Sequence, residues 1–525
     1  MLFQYLSESA RATPRQTAVI DGARLCSYEE LDRGSNQVAR TLRELGIGHG
    51  SRVGLHLDKS LESVMGLFGI LKAGAAYVPI DPSSPEWRVK FIVRDCRLAG
   101  ILTTRAWFDS LREVETLGCL LLVDANAANK PLTPSPRPVA PVMLTWEDVR
   151  TQPTAPVTPA PEATPEDLAY VLYTSETTEQ PKGVMHSHRA AHAFVEWAFT
   201  LADVQPGDHV SSHAPFHFDM SVFDVFAAAK GSAALVLVPT SLSVFPRELA
   251  DFIATREIAI WYSVPSVLTQ LVTRGELSRH RFPRLRTVLF AGEVFPIKYL
   301  REFIATIPGP RYFNLYGPTE TNVCTFHRVT LGDLSRSAPL PIGQACCGDQ
   351  AFIVRDDGVV AEDGEEGELC VAGPTLMSGY WGQLEHTRQV LGPVPGHPLA
   401  YRTGDRVVRE RGGVMHLLGR RDELVKVRGH RIELSAIEEV LLRHPDVVES
   451  AALTLPDELA GNELRAFVVL RDNASVSPQE LRRHCAEYLP RFMIPARIDT
   501  CDSLPRTTTG KQDKVRLQEQ ARQLV

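Results

Sequence analysis

"AALVLVPTSLSVFPRELADFIATREIAIWYSVP" (Ala233–Pro265) decides how the chain is read. It passes from a short apolar run to a helix-like segment and back to a second apolar run. The same alternation occurs earlier, in "SRVGLHL" (Ser51–Leu57), "SLESVMGLFGILKAG" (Ser60–Gly74) and "AAYVPI" (Ala75–Ile80), and again at "LRTVLFAG" (Leu285–Gly292). Apolar strands alternating with helices argue for parallel sheets wrapped by helices. Ligands of such sheets bind in crevices beyond the strand carboxyl ends, where these segments turn polar.

At 525 residues the chain is too long for one small core, which argues for two or three domains. The expected class is α/β: a large N-terminal domain of helix-wrapped sheets over 1–421, joined by a hinge at Asp422 to a small α+β domain over 422–525. In the latter, Ser477-Pro478-Gln479-Glu480 has the form of a capping box with proline at the first helical position. Residues Ala125 to Thr164 are crowded with proline, alanine and threonine, as expected of a surface excursion or stiff connector.

A net charge of −7 gives no reason to expect nucleic acid. No apolar stretch reaches the roughly 18 residues of a spanning helix. "MLFQYLSESARATPRQ" lacks the basic start and apolar core of a signal peptide. The nine cysteines are odd in number and show no C-x-x-C spacing. Reduced buried thiols in a cytoplasmic protein are the expectation.

"YVLYTSETTEQPKGV" (Tyr170–Val184) has the outline of a phosphate loop: an apolar strand, a cluster of hydroxyls, then Pro-Lys-Gly. Glu176 and Glu179 stand where glycine would let bare N–H groups approach phosphate. It matches no Walker pattern, whose G-K-[ST] ending is absent.

Further along come "HFDMSVFDVF" (His217–Phe226), "NLYGPTE" (Asn314–Glu320), "GELCVAGPTLMSGYW" (Gly367–Trp381), "YRTGD" (Tyr401–Asp405), "GRRDELVKVRGHRIEL" (Gly419–Leu434) and "LPRTTTGK", ending at Lys511. With "CSYEEL" and "LKAGAAYVPIDP" near the start, these motifs resemble, in order, those of the adenylate-forming superfamily. The resemblance covers nearly the whole chain and is strongest to the amino-acid adenylation domains of nonribosomal peptide synthesis. It implies that a substrate carboxylate attacks the α-phosphorus of ATP, and that a phosphopantetheine thiol then takes the acyl group. Its cofactors would be ATP and Mg²⁺.

The resemblance also implies residue roles. Lys511 would bridge the carboxylate and the α-phosphate as the catalytic cation. Glu320 would hold Mg²⁺, a hard cation that takes carboxylate and phosphate oxygens. Thr174, Ser175, Thr177, Thr178, Lys182 and Thr319 would meet phosphate. Tyr316 would stack on adenine, with Gly292, Glu293, Asn314 and Gly317 completing the nucleotide site. Asp405 would accept the ribose hydroxyls, helped by Arg420, and Asp422 would be the pivot for rotation of the small domain.

Asp219 would pair with the α-ammonium of an amino acid. Fatty-acyl and aryl substrates have no such group, and a buried unpaired carboxylate would be costly. An alternative for Asp219 is a helix cap, since a helix-like run follows it. Met220, Phe223, Tyr262, Leu289, Ala291, Leu315, Val323 and Cys324 would line the rest of the pocket. They are apolar or nearly so, which suits a small apolar amino acid. This lining is similar to that of stand-alone prolyl-activating enzymes, which places L-proline first.

The chain continues about fourteen residues past Lys511 with no carrier or condensation motif, so a separate carrier protein is the expected partner, with no nucleic acid or membrane. The alternatives are an acyl- or aryl-CoA ligase of the same fold and a silent scaffold that has lost its ATP loop. Glu176 and Glu179 favour the latter. A carboxylate about 6 Å from a phosphate charge costs roughly 3 kcal/mol at an effective dielectric near 20. Weakened ATP handling is the expectation.

Overall fold

In the computed structural model, the opening stretch forms a strand at Ala234–Leu237, a helix at Pro246–Thr255 and a strand at Ile260–Ser263. The helix begins on Pro246, whose fixed φ and missing N–H suit a first helical position, and it buries Leu249, Ala250 and Ile253. Its two strands are not neighbours. Strand His209–Ser212 lies between them and pairs in parallel with both. The structure describes residues 1–125, 141–158, 162–174, 181–336, 338–420, 424–457, 461–471, 474, 476–505 and 514–523.

These strands belong to a nine-stranded sheet with a parallel interior and antiparallel edges. A second sheet of eight strands, around Arg52–Leu55, Ala76–Pro79 and Leu168–Tyr173, also has a parallel interior but is antiparallel at one edge only. One apolar cluster draws on both sheets and on the helices Tyr28–Glu44, Leu61–Ala73 and Met220–Lys230. Helix Met220–Lys230 is buried from Met220 to Ala229, as a helix that is apolar all round must be. A five-stranded antiparallel sheet containing Glu366–Ala372 and His397–Arg409 follows.

The proline-rich stretch differs in part from its reading as a connector. Residues 126–140 and 159–161 lie outside the described residues. Between them, Val142–Thr145 adds an edge strand parallel to Cys119–Leu122, and Thr145 caps a short helix at Trp146–Arg150. The β-branched and apolar residues "VMLT" overrode the surrounding composition.

Beyond residue 424 the chain builds its own core from Ile432, Ile437, Leu441, Val468, Leu481, Cys485 and Ile498, among others. Strands Val447–Asp457 and Gly461–Leu470 form a long hairpin, joined in parallel by Arg497–Thr500. Helix Pro478–Tyr488 opens with the capping box read from the sequence, and Pro478 begins it. A short hairpin, Leu424–Val427 with His430–Glu433, reaches from this unit to the large one.

All nine cysteines are free, and the sulfurs of adjacent Cys346 and Cys347 are 3.5 Å apart. No helix among the described residues is long and apolar enough to cross a membrane.

Candidate active site

One cavity opens where strands of both large sheets end. Thr174 follows strand Leu168–Tyr173, Ala291 closes Thr287–Ala291, Gly317 follows Arg311–Tyr316, and Asp81 lies just past Ala76–Pro79. This is the carboxyl-end crevice that parallel sheets provide. The hairpin of the C-terminal unit covers it from the other side through Lys426, Gly429 and His430.

Asp219 stands at the N-terminus of helix Met220–Lys230 but makes no side-chain cap there. Its carboxylate accepts a hydrogen bond from the Thr319 hydroxyl at 2.7 Å. Burial raises its pKa, opposed by that bond and by Lys426. Met220, Tyr262, Ala291 and Val323 line the cavity with it. Phe223 stands behind Tyr262, ring edge to face at 5.8 Å, and Leu289 and Leu315 pack in the same apolar cluster without reaching the cavity. Cys324 is not brought to this wall. It packs under Tyr316 in a different cluster, its thiol 3.6 Å from the Tyr316 carbonyl.

The residues expected to meet the nucleoside form a closed network. Asp405 is buried; one carboxylate oxygen accepts from the Tyr316 hydroxyl and the other from Arg420 Nη1 at 2.6 Å. The Lys426 ammonium lies 5.5 Å from the centre of the Tyr316 ring. Gly317 lets the backbone pass close to the Asn322 carbonyl, where a Cβ would collide. Asn314 is drawn aside, its amide donating to the Pro341 carbonyl at 2.9 Å.

Glu293 ties the two units together. It accepts from the Ser266 amide at 3.1 Å and from the Gly429 amide at 2.8 Å. Burial raises its pKa. Gly429 has φ +79°, and a Cβ there would fall 2.5 Å from a Val264 methyl, so only glycine fits facing Gly292. His430 stacks on Phe492 with ring centres 3.8 Å apart and meets the Phe218 ring edge-on at 4.7 Å.

Among the residues expected to meet phosphate, the Thr174 amide donates to the Lys182 carbonyl at 2.9 Å. Its hydroxyl is buried with no partner among the described residues. Lys182 points elsewhere, its ammonium 3.0 Å from His386 Nε2. Ser175, Thr177, Thr178, Glu176, Glu179, Asp422 and Lys511 lie outside the described residues.

Glu320 is fully buried and accepts from the Tyr380 hydroxyl at 2.6 Å. Among the described residues no group of three or more His, Cys, Asp or Glu could hold a metal. A lone hard carboxylate fits Mg²⁺ that arrives with nucleotide phosphates, not a metal held by an all-protein cage.

Several cavity residues carry no signal readable in the sequence. Arg88 lies outside the motifs quoted above, and Asp81, His217 and His430 stand inside quoted motifs without an assigned role. Burial lowers the pKa of both histidines, so the cavity's positive charge comes from Arg88 and Lys426.

The chain belongs to the AMP-binding enzymes: residues 6–381 match that family and 436–511 match its C-terminal domain. Members of this family are ligases that use ATP. More particularly, the chain is 39% identical over 522 residues to an L-proline–(L-prolyl-carrier protein) ligase of Pseudomonas fluorescens, covering 99% of both chains. It is 38% identical to the enzyme of that name from Streptomyces coelicolor, covering 96% of this chain and 95% of that one. The adenylation domain AlmE of Vibrio cholerae, solved with glycyl-adenosine-5'-phosphate, shares the fold at a TM-score of 0.85 with 24% identity, over 99% of this chain and 98% of that one.

Proposed function

We propose that this protein activates L-proline with ATP as prolyl-AMP and transfers the prolyl group to the phosphopantetheine thiol of a separate carrier protein. The observation that carries this reading is Asp219, a half-buried carboxylate that lines a cavity walled by Met220, Tyr262, Ala291 and Val323 and whose pKa desolvation raises. An ammonium is the group such a carboxylate calls for, and the walls leave no charge for a polar side chain. The two proline ligases that match over nearly their whole length support the choice of amino acid.

In the first step a carboxylate oxygen of proline attacks the α-phosphorus of ATP and the bond to pyrophosphate breaks. Asp219 holds the ammonium, and Thr319 keeps that carboxylate oriented until the substrate arrives. Tyr316 receives adenine, with Gly292, Glu293, Asn314 and Gly317 around the nucleotide. Asp405 and Arg420 meet the ribose. Thr174, Ser175, Thr177 and Thr178 serve the phosphates, with Lys182 joining them once it leaves His386, and Glu320 would hold Mg²⁺, which neutralises phosphate charge when bound. Lys511 supplies a cation where negative charge develops.

In the second step the carrier thiolate attacks the prolyl carbonyl carbon and AMP leaves. The small unit, 422–525, turns about Asp422 between the steps. The hairpin contact of Gly429 with Glu293 belongs to one of these two arrangements. The setting is the cytoplasm, where ATP and the carrier meet. Pyrophosphate exchange across a panel of amino acids tests the reading. Proline should lead, with alanine and valine behind; exchange driven only by an acid lacking an ammonium would overturn it.

A further inference from the structure

Arg88 has no part in the roles above. It is the third residue of helix Glu86–Asp95, and it is 8% exposed. It lines the cavity beside Thr174, Asp81 and His217. One N–H, at Nη2, donates to the Thr174 carbonyl at 3.1 Å. Among the described residues no carboxylate lies within 4.0 Å of its guanidinium; Asp81 attracts it from further away. Burial lowers its pKa to about 10, which leaves it charged at neutral pH.

A buried guanidinium without an ion-pair partner is expensive to maintain, and its planar fork of donors matches a phosphate. The charges that bear on Asp219, at the amino-acid end, are those of Lys426 and Glu320. Arg88 is fastened instead to the strand end from which the hydroxyl-rich sequence "TSETTEQPKG" departs.

We propose that Arg88 binds the pyrophosphate end of ATP: the donors left over from Thr174 pair with β- and γ-phosphate oxygens. The bond to Thr174 holds the fork in place before the nucleotide enters. This assignment rests on the ATP-dependent reading above and adds a residue that no motif of the chain contains.

The test uses the full chain with Arg88→Ala and Arg88→Lys. Proline-dependent pyrophosphate exchange gives KM for ATP, pyrophosphate and proline; calorimetry gives the affinity for α,β-methylene-ATP and for AMP. Arg88→Ala should raise KM for both ATP and pyrophosphate about tenfold or more, and weaken α,β-methylene-ATP alike. KM for proline and the affinity for AMP should stay within about twofold. Arg88→Lys should fall between, because charge survives and the fork does not. Unchanged ATP and pyrophosphate constants in both variants, or a rise confined to proline, would overturn the assignment. Should Arg88→Ala fail to melt cooperatively, Arg88→Lys decides by the same constants. If the unaltered protein shows no proline-dependent exchange, the functional reading fails, and the α,β-methylene-ATP affinities still decide the role of Arg88.

Discussion

The corner around Asp405 and the two corners of the cavity at Asp219 and Thr174 are built on opposite plans. Asp405 is met by Tyr316 on one oxygen and Arg420 on the other, so the charge is balanced within the protein. Asp219, half-buried, accepts a hydrogen bond from the Thr319 hydroxyl and has no cation within 4.0 Å among the described residues. Among the described residues the buried Thr174 hydroxyl has no partner and Arg88 has no carboxylate within 4.0 Å. A closed network orders the fold before substrate arrives; an open one carries unbalanced charge that the substrate supplies. Substitutions in the closed corner should therefore lower stability, and substitutions in the open corners should lower binding while leaving stability intact.

The largest effect is expected at Asp219. Asp219→Asn should lower kcat/KM for proline by about 2–5 kcal/mol, the range for truncating a buried charge pair. Burial raises the folded pKa of this carboxyl above its unfolded value, so its stabilising contribution is present at low pH and is lost as pH rises through the folded pKa. At neutral pH the variant should melt no lower than the parent. The protonated carboxyl cannot pair with an ammonium, so the parent's KM for proline should climb as pH falls through that raised pKa, and the variant's should not. A lower melting temperature with intact proline kinetics would put Asp219 in the closed class.

Asp405→Ala should do the reverse. Removing it takes the Asp405 carboxylate from Arg420 and costs about 3 kcal/mol of stability by the measure of broken buried pairs. Chemical denaturation checks this, and an unshifted midpoint would show that the corner is not ordered in advance.

Restoring glycine at both Glu176 and Glu179 should raise kcat/KM for ATP by about tenfold, within the roughly 3 kcal/mol that one close carboxylate can cost. No change would mean that both glutamates face water.

The smallest effect belongs to Thr174→Ala. Deleting a hydroxyl that has no partner among the described residues should change stability by less than about 1 kcal/mol and raise KM for ATP only a few-fold. A loss of stability as large as that of Asp405→Ala would erase the contrast between the corners.

How much of this was legible in the chain depends on distance along it. Strand and helix alternation is a local property, because a buried parallel strand must be apolar on both faces and its crossover helix on one. "AALVLVP", the helix at Pro246 and the capping box at Ser477 could thus be read directly. The composition of Ala125–Thr164 misled, because a short edge strand needs only four suitable residues. The motifs "NLYGPTE" and "YRTGD" lie on separate strands, and the fold joins them through the Tyr316 hydroxyl and the Asp405 carboxylate.

What the sequence determined by itself was the order of strands and helices, and the residue types gathered at the ends of those strands. Only the tertiary structure decided which of these residues meet. Asp219 finds Thr319 across 100 positions, Arg88 finds Thr174 across 86, and Glu293 finds Gly429 across 136. It also sent Cys324 away from the pocket wall and Lys182 away from the cavity. The physical reason is that hydrogen bonds and ion pairs act over a few ångströms of space and are blind to separation along the chain. Arg88 on its helix looks like any basic residue until the fold buries it against a strand end.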